Sequence, residues 1–410
     1  MSSSSRKWWA NIKALTSPPQ HLSSHSILIN DQWLDPSEFV DRLNKHYTNR
    51  SDETTLEFPQ LNETKRIPRN ITIPEVIRVL KAINTRKATH TEDFPQWISK
   101  LNPEAIAIPM HDIIQTMFNT GQYPALWKCS EITPLSKVAS PTELKDFRPI
   151  SLLHHCSKVA ETFIIDHLLS HNKTDENQYA YTKGVGTTDA LVNVVTLWKQ
   201  AMDDKQTLAI HALFEDFSKA FDNMRPDADS LAVIMMSQGC DHPTIQLCIN
   251  YLTDRQQKVI HKASMTKSEQ RVSNVGVPQG TRCGPVLWNI FIQSLTTSEP
   301  IIKYADDLTV YTILKKYDSK HTSKIHKSTD GKTIASQATL IEDWCQKTGM
   351  TLNASKTKQM TISLRDKITL EITPVIINST VIEKVASLKL LDIILDENLH
   401  FHKHLNNILM

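Results

Sequence analysis

Glycine is the scarcest structural resource in this sequence. The chain of 410 residues has 9 glycines, where ordinary usage of about 7% would give roughly 29. Turns that need a left-handed backbone must therefore be made by other residues. No Cys-x-x-Cys occurs among the six cysteines, which excludes the usual structural zinc ribbons and a disulfide-stapled fold. No run of about 18 apolar residues exists, and no apolar core follows the N-terminus, so neither a spanning helix nor a secretory leader is expected. Charge of one sign is also missing. The 46 basic and 44 acidic residues leave a net +2, which neither announces nor excludes nucleic acid.

What is present is a globular composition, 40% hydrophobic and 22% charged, long enough for two or three domains or one composite fold. These features predict a reduced, intracellular protein. Residues 1–70 are polar and irregular, and are expected to be an N-terminal linker region, partly disordered. Trp8 and Trp9 in a short basic helix suit packing against the body or stacking on nucleic acid, and Phe39, Val40, Leu43 and Tyr47 have helical spacing.

From Pro74 the pattern sharpens. Helices are expected from Pro74, over Leu101 to Gly121, Leu153 to Leu169, Ala190 to Met202, from Pro285, and over Ala338 to Thr348. Short strands are expected at Ile132–Lys137 and Asp146–Leu153, at Leu208–Phe217, and in three runs between Ile372 and Leu395. The first two place Lys137 and Arg148 on neighbouring strands, a pair of cations suited to a triphosphate and equally to a solvated basic hairpin.

Lys303-Tyr304-Ala305-Asp306-Asp307-Leu308 is the stretch that organises the rest. Two apolar runs joined by a polar link predict a hairpin with both carboxylates at its tip. Alone, it reads as well as a surface turn. Asp216, at the end of the strand ending Glu215-Asp216-Phe217, is its natural partner, and three such carboxylates could hold two divalent metals. Val275 to Pro285 holds three of the nine glycines and reads as a nucleotide-binding loop around Gln279 and Gly280. Lys356 could donate a proton or touch a phosphate, or be an exposed lysine.

In order, Phe147-Arg148-Pro149-Ile150-Ser151-Leu152, Asp216-Phe217-Ser218-Lys219-Ala220-Phe221-Asp222, Gly276-Val277-Pro278-Gln279-Gly280-Thr281, Tyr304-Ala305-Asp306-Asp307 and Leu352-Asn353-x-x-Lys356-Thr357 resemble the reverse transcriptase domain of non-LTR, jockey-like retrotransposons, over about residues 70–405. The resemblance implies an α+β right-hand polymerase fold: fingers at 71–205, palm at 206–385, and the start of a truncated thumb at 386–410. It implies an RNA-directed DNA polymerase with two metal ions, Mg²⁺ or Mn²⁺ in its place. The partners implied are an RNA template, a DNA primer and deoxynucleoside triphosphates. Asp216, Asp306 and Asp307 would bind metal and catalyse with Lys356. Lys137, Arg148, Phe221, Gln279 and Gly280 would bind the nucleotide.

The sequence also departs from that family. His90-Thr91-Glu92 stands where Gly-Pro-Asp is usual, Ala180 where Gly is, Val185 where Arg is, and Cys283 where Leu is. Glu215 replaces an apolar residue, and its side chain is expected to face opposite Asp216, toward packing. Asp392 replaces a turn Gly and would be strained if that position needs a positive φ. These losses suggest a drifting copy, so the competing expectation is a catalytically inactive relative that only binds nucleic acid or protein.

Overall fold

The computed structural model describes residues 27–53, 69–171, 175–227, 230–315, 333–363 and 374–409. Trp8, Trp9, most of the expected 51–70 linker and the Ile372 end of the first C-terminal strand run lie outside the described residues. The protein mixes helices and sheets, an α+β chain, and divides into two compact units. The first comprises residues 1–56, 61–167 and 241–284; the second comprises 57–60, 168–240 and 285–410.

The first unit is built on a mixed sheet ordered Phe147–Leu152, Cys129–Ser136, Arg255–His261 and Thr266–Lys267, with Arg271–Ser273 also paired to Arg255–His261. The expected pair of strands is there, antiparallel, with Leu135 opposite Arg148. Arg255–His261 runs parallel to Cys129–Ser136. Its Arg-Gln-Gln-Lys start has no apolar alternation, so nothing in the local pattern marks it as a strand.

Residues 27–53 correct the linker expectation. Ile27–Ile29 and Gln32–Leu34 form a hairpin around Asn30 and Asp31, both at positive φ, and the Pro36–Glu53 helix follows. Asn-Asp between two short β-prone runs was the available hairpin signal. Phe39, Val40 and Leu43 are fully buried against Ile132, Phe147 and Val259.

Helix ends follow local chemistry. Thr72 and Glu75 make a capping box ahead of Ile73–Lys81, with Pro74 in the first turn. The helix expected over 101–121 is present as Pro103–Thr120, and a short helix that the sequence reading did not include precedes it. Gln96–Leu101 ends at Asn102, whose side chain caps Pro103–Thr120 at the Ala105 N–H, because Pro103 cannot continue the earlier helix. Gly121 and Gly349 close their helices in the left-handed conformation, as expected of glycine at a C-cap.

The second unit holds a five-stranded sheet ordered Glu383–Lys384, Lys358–Ile362, Thr207–Glu215, Asp307–Lys315 and Ile301–Tyr304. Thr207–Glu215 is central, and all nine of its residues are buried. Ile210, Ala212 and Phe214 share one face with Trp198 of the Thr187–Asp203 helix and with Leu390, Leu395 and Leu399. The intervening residues look to the other face, which packs the Ile334–Thr348 helix.

Glu215 is on that second face, 3% exposed, with no hydrogen bond to either carboxylate oxygen. Burial first, and then the Glu342 charge, pushes its carboxyl up to about 8. The sequence expectation of a carboxylate aimed into packing is met. The folded state thus keeps the proton longer than an unfolded chain does. Its stability contribution is complete below the ordinary value of 4.5 and is lost as pH rises through about 8. Glu215→Leu should therefore raise the melting temperature in metal-free buffer, by an amount equivalent to a few kcal/mol at pH 8 and by much less at pH 5. Equal gains at both pH values in thermal melts would show that the buried charge is not the cause.

Candidate nucleotidyl-transfer site

In the second unit, register does the assembling. Leu308 pairs with Glu215 and the strands are antiparallel, so Asp307 falls beside Asp216. Tyr304 pairs with Asp307 across the hairpin, so Ala305 and Asp306 form its turn; of the two carboxylates expected at the tip, Asp306 is in the turn and Asp307 opens the next strand. The chain after Glu215 is gripped by residues 351–353. Ser218 N–H donates to Thr351 O at 2.8 Å, and Asn353 N–H donates to Asp216 O at 2.8 Å. A turn over Asn353–Thr357 then brings Lys356 Nζ to 3.3 Å from Asp216 Oδ2.

The three carboxylates repel one another. Asp307 is pushed up to about 6 by desolvation, then by Asp306 and Asp216, with Lys356 opposing. Its side chain is exposed to solvent, where the repulsion of its neighbours acts alongside partial burial. Asp306, half-buried, is also raised, by desolvation first and by Asp216 after it. Asp216 Oδ2 is buried and has the Lys356 ammonium at 3.3 Å as an ion-pair partner, with no well-aligned hydrogen bond. These are oxygen donors of the type divalent cations take, with repulsion that a cation would relieve. Among the described residues, no three His, Cys, Asp or Glu side chains converge into a formed metal cage. The donor chemistry fits a divalent ion.

The tip is held from behind by residues that the sequence did not single out. Ala305 sits at φ 57°, a conformation costing roughly 1 kcal/mol or more in a residue with a Cβ. Its N–H donates to Gln178 Oε1 at 3.0 Å, and its carbonyl accepts from Trp288 Nε1 at 2.9 Å and Gln178 Nε2 at 3.3 Å. Lys303, 1% exposed, donates to Asp175 Oδ2 at 2.7 Å and to the carbonyls of Ile292 and Leu295 at 2.9 and 2.8 Å. Burial lowers its pKa and Asp175 opposes that fall. The sequence signal was a lysine within an otherwise apolar strand. Phe221, half-buried, stacks on Trp288 with ring centroids 5.1 Å apart, and Tyr181 meets it edge-on.

In the first unit, the strand of Arg148 and the glycine loop form one piece. Ser151 N–H donates to Gln279 O at 2.8 Å. Gly280 lies at φ 102°, which favours glycine, and a Cβ there would stand a tight 3.2 Å from Ser151 O. Arg148 is exposed on its strand. Lys137 lies just beyond the partner strand, its N–H on Asp146 O and its Nζ on Lys145 O at 2.6 Å. Structure thus groups Asp216, Asp306, Asp307 and Lys356 in one unit with Phe221. Arg148, Lys137, Gln279 and Gly280 are grouped in the other.

Glu161 holds the loop. It is wholly buried, and its Oε2 accepts the N–H groups of Arg282 and Cys283 at 2.6 and 3.3 Å, while Oε1 accepts from Tyr251 Oη at 3.1 Å. Burial raises its pKa despite these donors. Helical periodicity does not reveal it, because it sits inside an apolar helix with partners far along the chain. Glu161→Gln should expose the Arg282 and Cys283 amides to hydrogen exchange about tenfold faster or more, with the amides of the Cys129–Ser136 strand unchanged. Unaltered exchange at both positions would show that another group fixes the loop.

Comparison with known proteins bears on these residues directly. The family described as reverse transcriptase (RNA-dependent DNA polymerase) matches residues 136–394. The RNA-directed DNA polymerase from mobile element jockey of Drosophila melanogaster is 25% identical over 82% of this chain and 36% of its own length. The probable RNA-directed DNA polymerase from transposon BS of the same organism is 23% identical over 90% of this chain and 41% of its own length. That from transposon X-element is 27% identical over 85% of this chain and 38% of its own length. The chain thus spans about two-fifths of the length of these curated relatives. Among solved structures, apo telomerase from Candida tropicalis aligns with 76% of this chain and 62% of its own at 11% identity, with a TM-score of 0.42. A likeness so distant adds no weight. Members of the matched family use divalent metals and bind an RNA template, and among the described residues no helix is long and apolar enough to cross a membrane. With the family match covering the Arg148 strand, the glycine loop, the carboxylate hairpin and the Lys356 turn in one span, the chain belongs to the reverse transcriptase family.

Proposed function

We propose that this chain extends a DNA primer on an RNA template, as the RNA-directed DNA polymerase domain of a non-LTR retroelement. The observation that carries the reading is the strand register that sets Asp307 beside Asp216, with Lys356 against Asp216. Asp216, Asp306 and Asp307 would hold divalent metal, Mg²⁺ or Mn²⁺, which when bound lowers the pKa of the primer 3′-hydroxyl and stabilises charge on the transferring phosphoryl group. The other residues position reactants, which supplies much of the acceleration in such reactions. Lys356, beside Asp216, meets the leaving pyrophosphate. Phe221, backed by Trp288, forms a rigid wall that screens the sugar 2′ position. Lys137 and Arg148 bind the triphosphate. Gln279 and Gly280 present backbone beside the incoming nucleotide and template. In this reading fingers occupy 71–205, palm 206–385, and 386–410 begins the thumb. The protein works inside the cell.

A second reading, a relative that binds without catalysing, has two observations behind it. Glu215 is an unpaired buried acid adjoining Asp216. Asp392 sits at φ 71°, at a turn where the family resemblance expects glycine. Primer extension separates the readings. With deoxynucleotides, Mg²⁺ and an RNA template annealed to a DNA primer, the natural protein should extend the primer. Asp306→Ala should abolish extension, and so should Asp216→Ala, each with an unchanged melting curve. No extension by the natural protein, with the duplex still bound in a salt-dependent manner, would favour the binding-only reading.

A further inference from the structure

A cavity of about 470 Å³ lies wholly within the first unit. It is of the size that small ligands occupy. Its walls come from the Ile73–Lys81 helix and the turn after it, from the His155–His171 helix, and from the glycine loop at Gly280.

The charges around it are one-sided. Arg78, Lys87, Lys158 and Arg282 line the cavity, against Asp166 as the one carboxylate lining it. Two of these cations are braced in place. Lys158 Nζ donates to Ala88 O at 2.8 Å, and Arg282 Nη1 donates to Thr162 Oγ1 at 2.5 Å. Lys158 is half-buried, and its pKa is lowered by desolvation first and by the like charge of Lys87, with Glu161 and Asp93 opposing the fall. Cations crowded together at the edge of a cavity gain when an anion arrives.

The rest of the lining is of another kind. Val79, Ile83 and Val159 supply apolar surface. Gln96 adds a side-chain amide, fixed by its Nε2 bond to Lys87 O at 2.7 Å. Phosphate-binding groups beside an apolar surface with an amide suit an anion attached to a flat, mostly apolar ring carrying polar edges.

We propose that this cavity binds a single nucleotide, with its phosphate against Lys87, Lys158, Arg78 and Arg282 and its base on Val79, Ile83 and Val159. The shared chemistry is a nucleoside monophosphate. Its source is either a free nucleotide or one unpaired nucleotide of a strand. The choice of a nucleotide over another phosphorylated ring rests on the polymerase reading; the cavity and its cations do not.

The test uses the full chain with labelled isoleucine methyl groups, in metal-free buffer, titrated with adenosine monophosphate, with a short single-stranded RNA, and with inorganic phosphate. Ile83 reports the cavity, and Ile302, in the sheet of the second unit, is the control. A shift at Ile83 without one at Ile302 is expected. Two variants each weaken binding by about tenfold or more: the pair R78E/K87E, which reverses exposed charges, and A82F, which fills the cavity and keeps its charges. Saturation by the mononucleotide identifies a free nucleotide as the source; a response to RNA alone identifies a strand. An unmoved Ile83 methyl overturns the proposal. So does binding lost in R78E/K87E but kept in A82F, which would be attraction to a basic surface. A response to inorganic phosphate equal to that of the mononucleotide leaves an anion site and overturns the nucleotide. None of these outcomes depends on primer extension, so an inactive polymerase would still answer the question.

Discussion

The antiparallel pairing of Thr207–Glu215 with Asp307–Lys315 is the constraint on which the second unit depends. The side-chain period of a strand is two, so a slip of one residue would turn Ile210, Ala212 and Phe214 away from Trp198. The same slip would part Asp307 from Asp216. Packing and chemistry are therefore fixed by one register. The apolar face supplies the free energy that holds two like-charged carboxylates side by side, a placement that electrostatics alone would oppose. Residues 351–353 extend the arrangement beyond the strand and bring in Lys356 as partial compensation.

The first unit shows a comparable economy with fewer glycines than its loops would ordinarily use. Gly280 occupies a position whose positive φ disfavours any side chain and where a Cβ would crowd Ser151 O. Elsewhere other residues take positive φ, among them Asn30, Asp31, Tyr181 and Ala305. Asparagine and aspartate do this cheaply, while tyrosine and alanine do it at a cost that surrounding contacts must offset. The glycine loop is anchored at Ser151 and at Glu161, so strings of residues separated in sequence act as one body.

Much of this was legible before any coordinates. Alternation and punctuation placed Asp216 at a strand end and Asp306 at a hairpin tip, because both signals are local. The motif strings and their order identified the family, because those strings answer to the chemistry of the site. Supporting contacts were not legible. Gln178 and Ala305, or Asp175 and Lys303, are more than a hundred residues apart and meet only through topology. Glu161 is hidden in a helix whose apolar stripe reads normally without it. The Arg255–His261 strand has polar residues where alternation would be sought, since its place is set by parallel pairing with Cys129–Ser136. The helix at 36–53 was legible in the spacing of Phe39, Val40, Leu43 and Tyr47, but the hairpin at 27–34 was passed over because short apolar runs in polar surroundings resemble linker, although Asn30-Asp31 was a turn signal in plain view.

Every hydrogen bond that secures Ala305 is made by its backbone: one N–H given, and one carbonyl shared by Gln178 and Trp288. The side chain at that position therefore has no attachment to lose. What it does is narrow the backbone's freedom while the protein is unfolded, at the expense of some strain once folded. Glycine in its place would keep all three bonds and relieve the strain, yet it would let the tip wander more between them. A single buried methyl group is, on this view, a tuning element for how sharply two neighbouring acids are aimed.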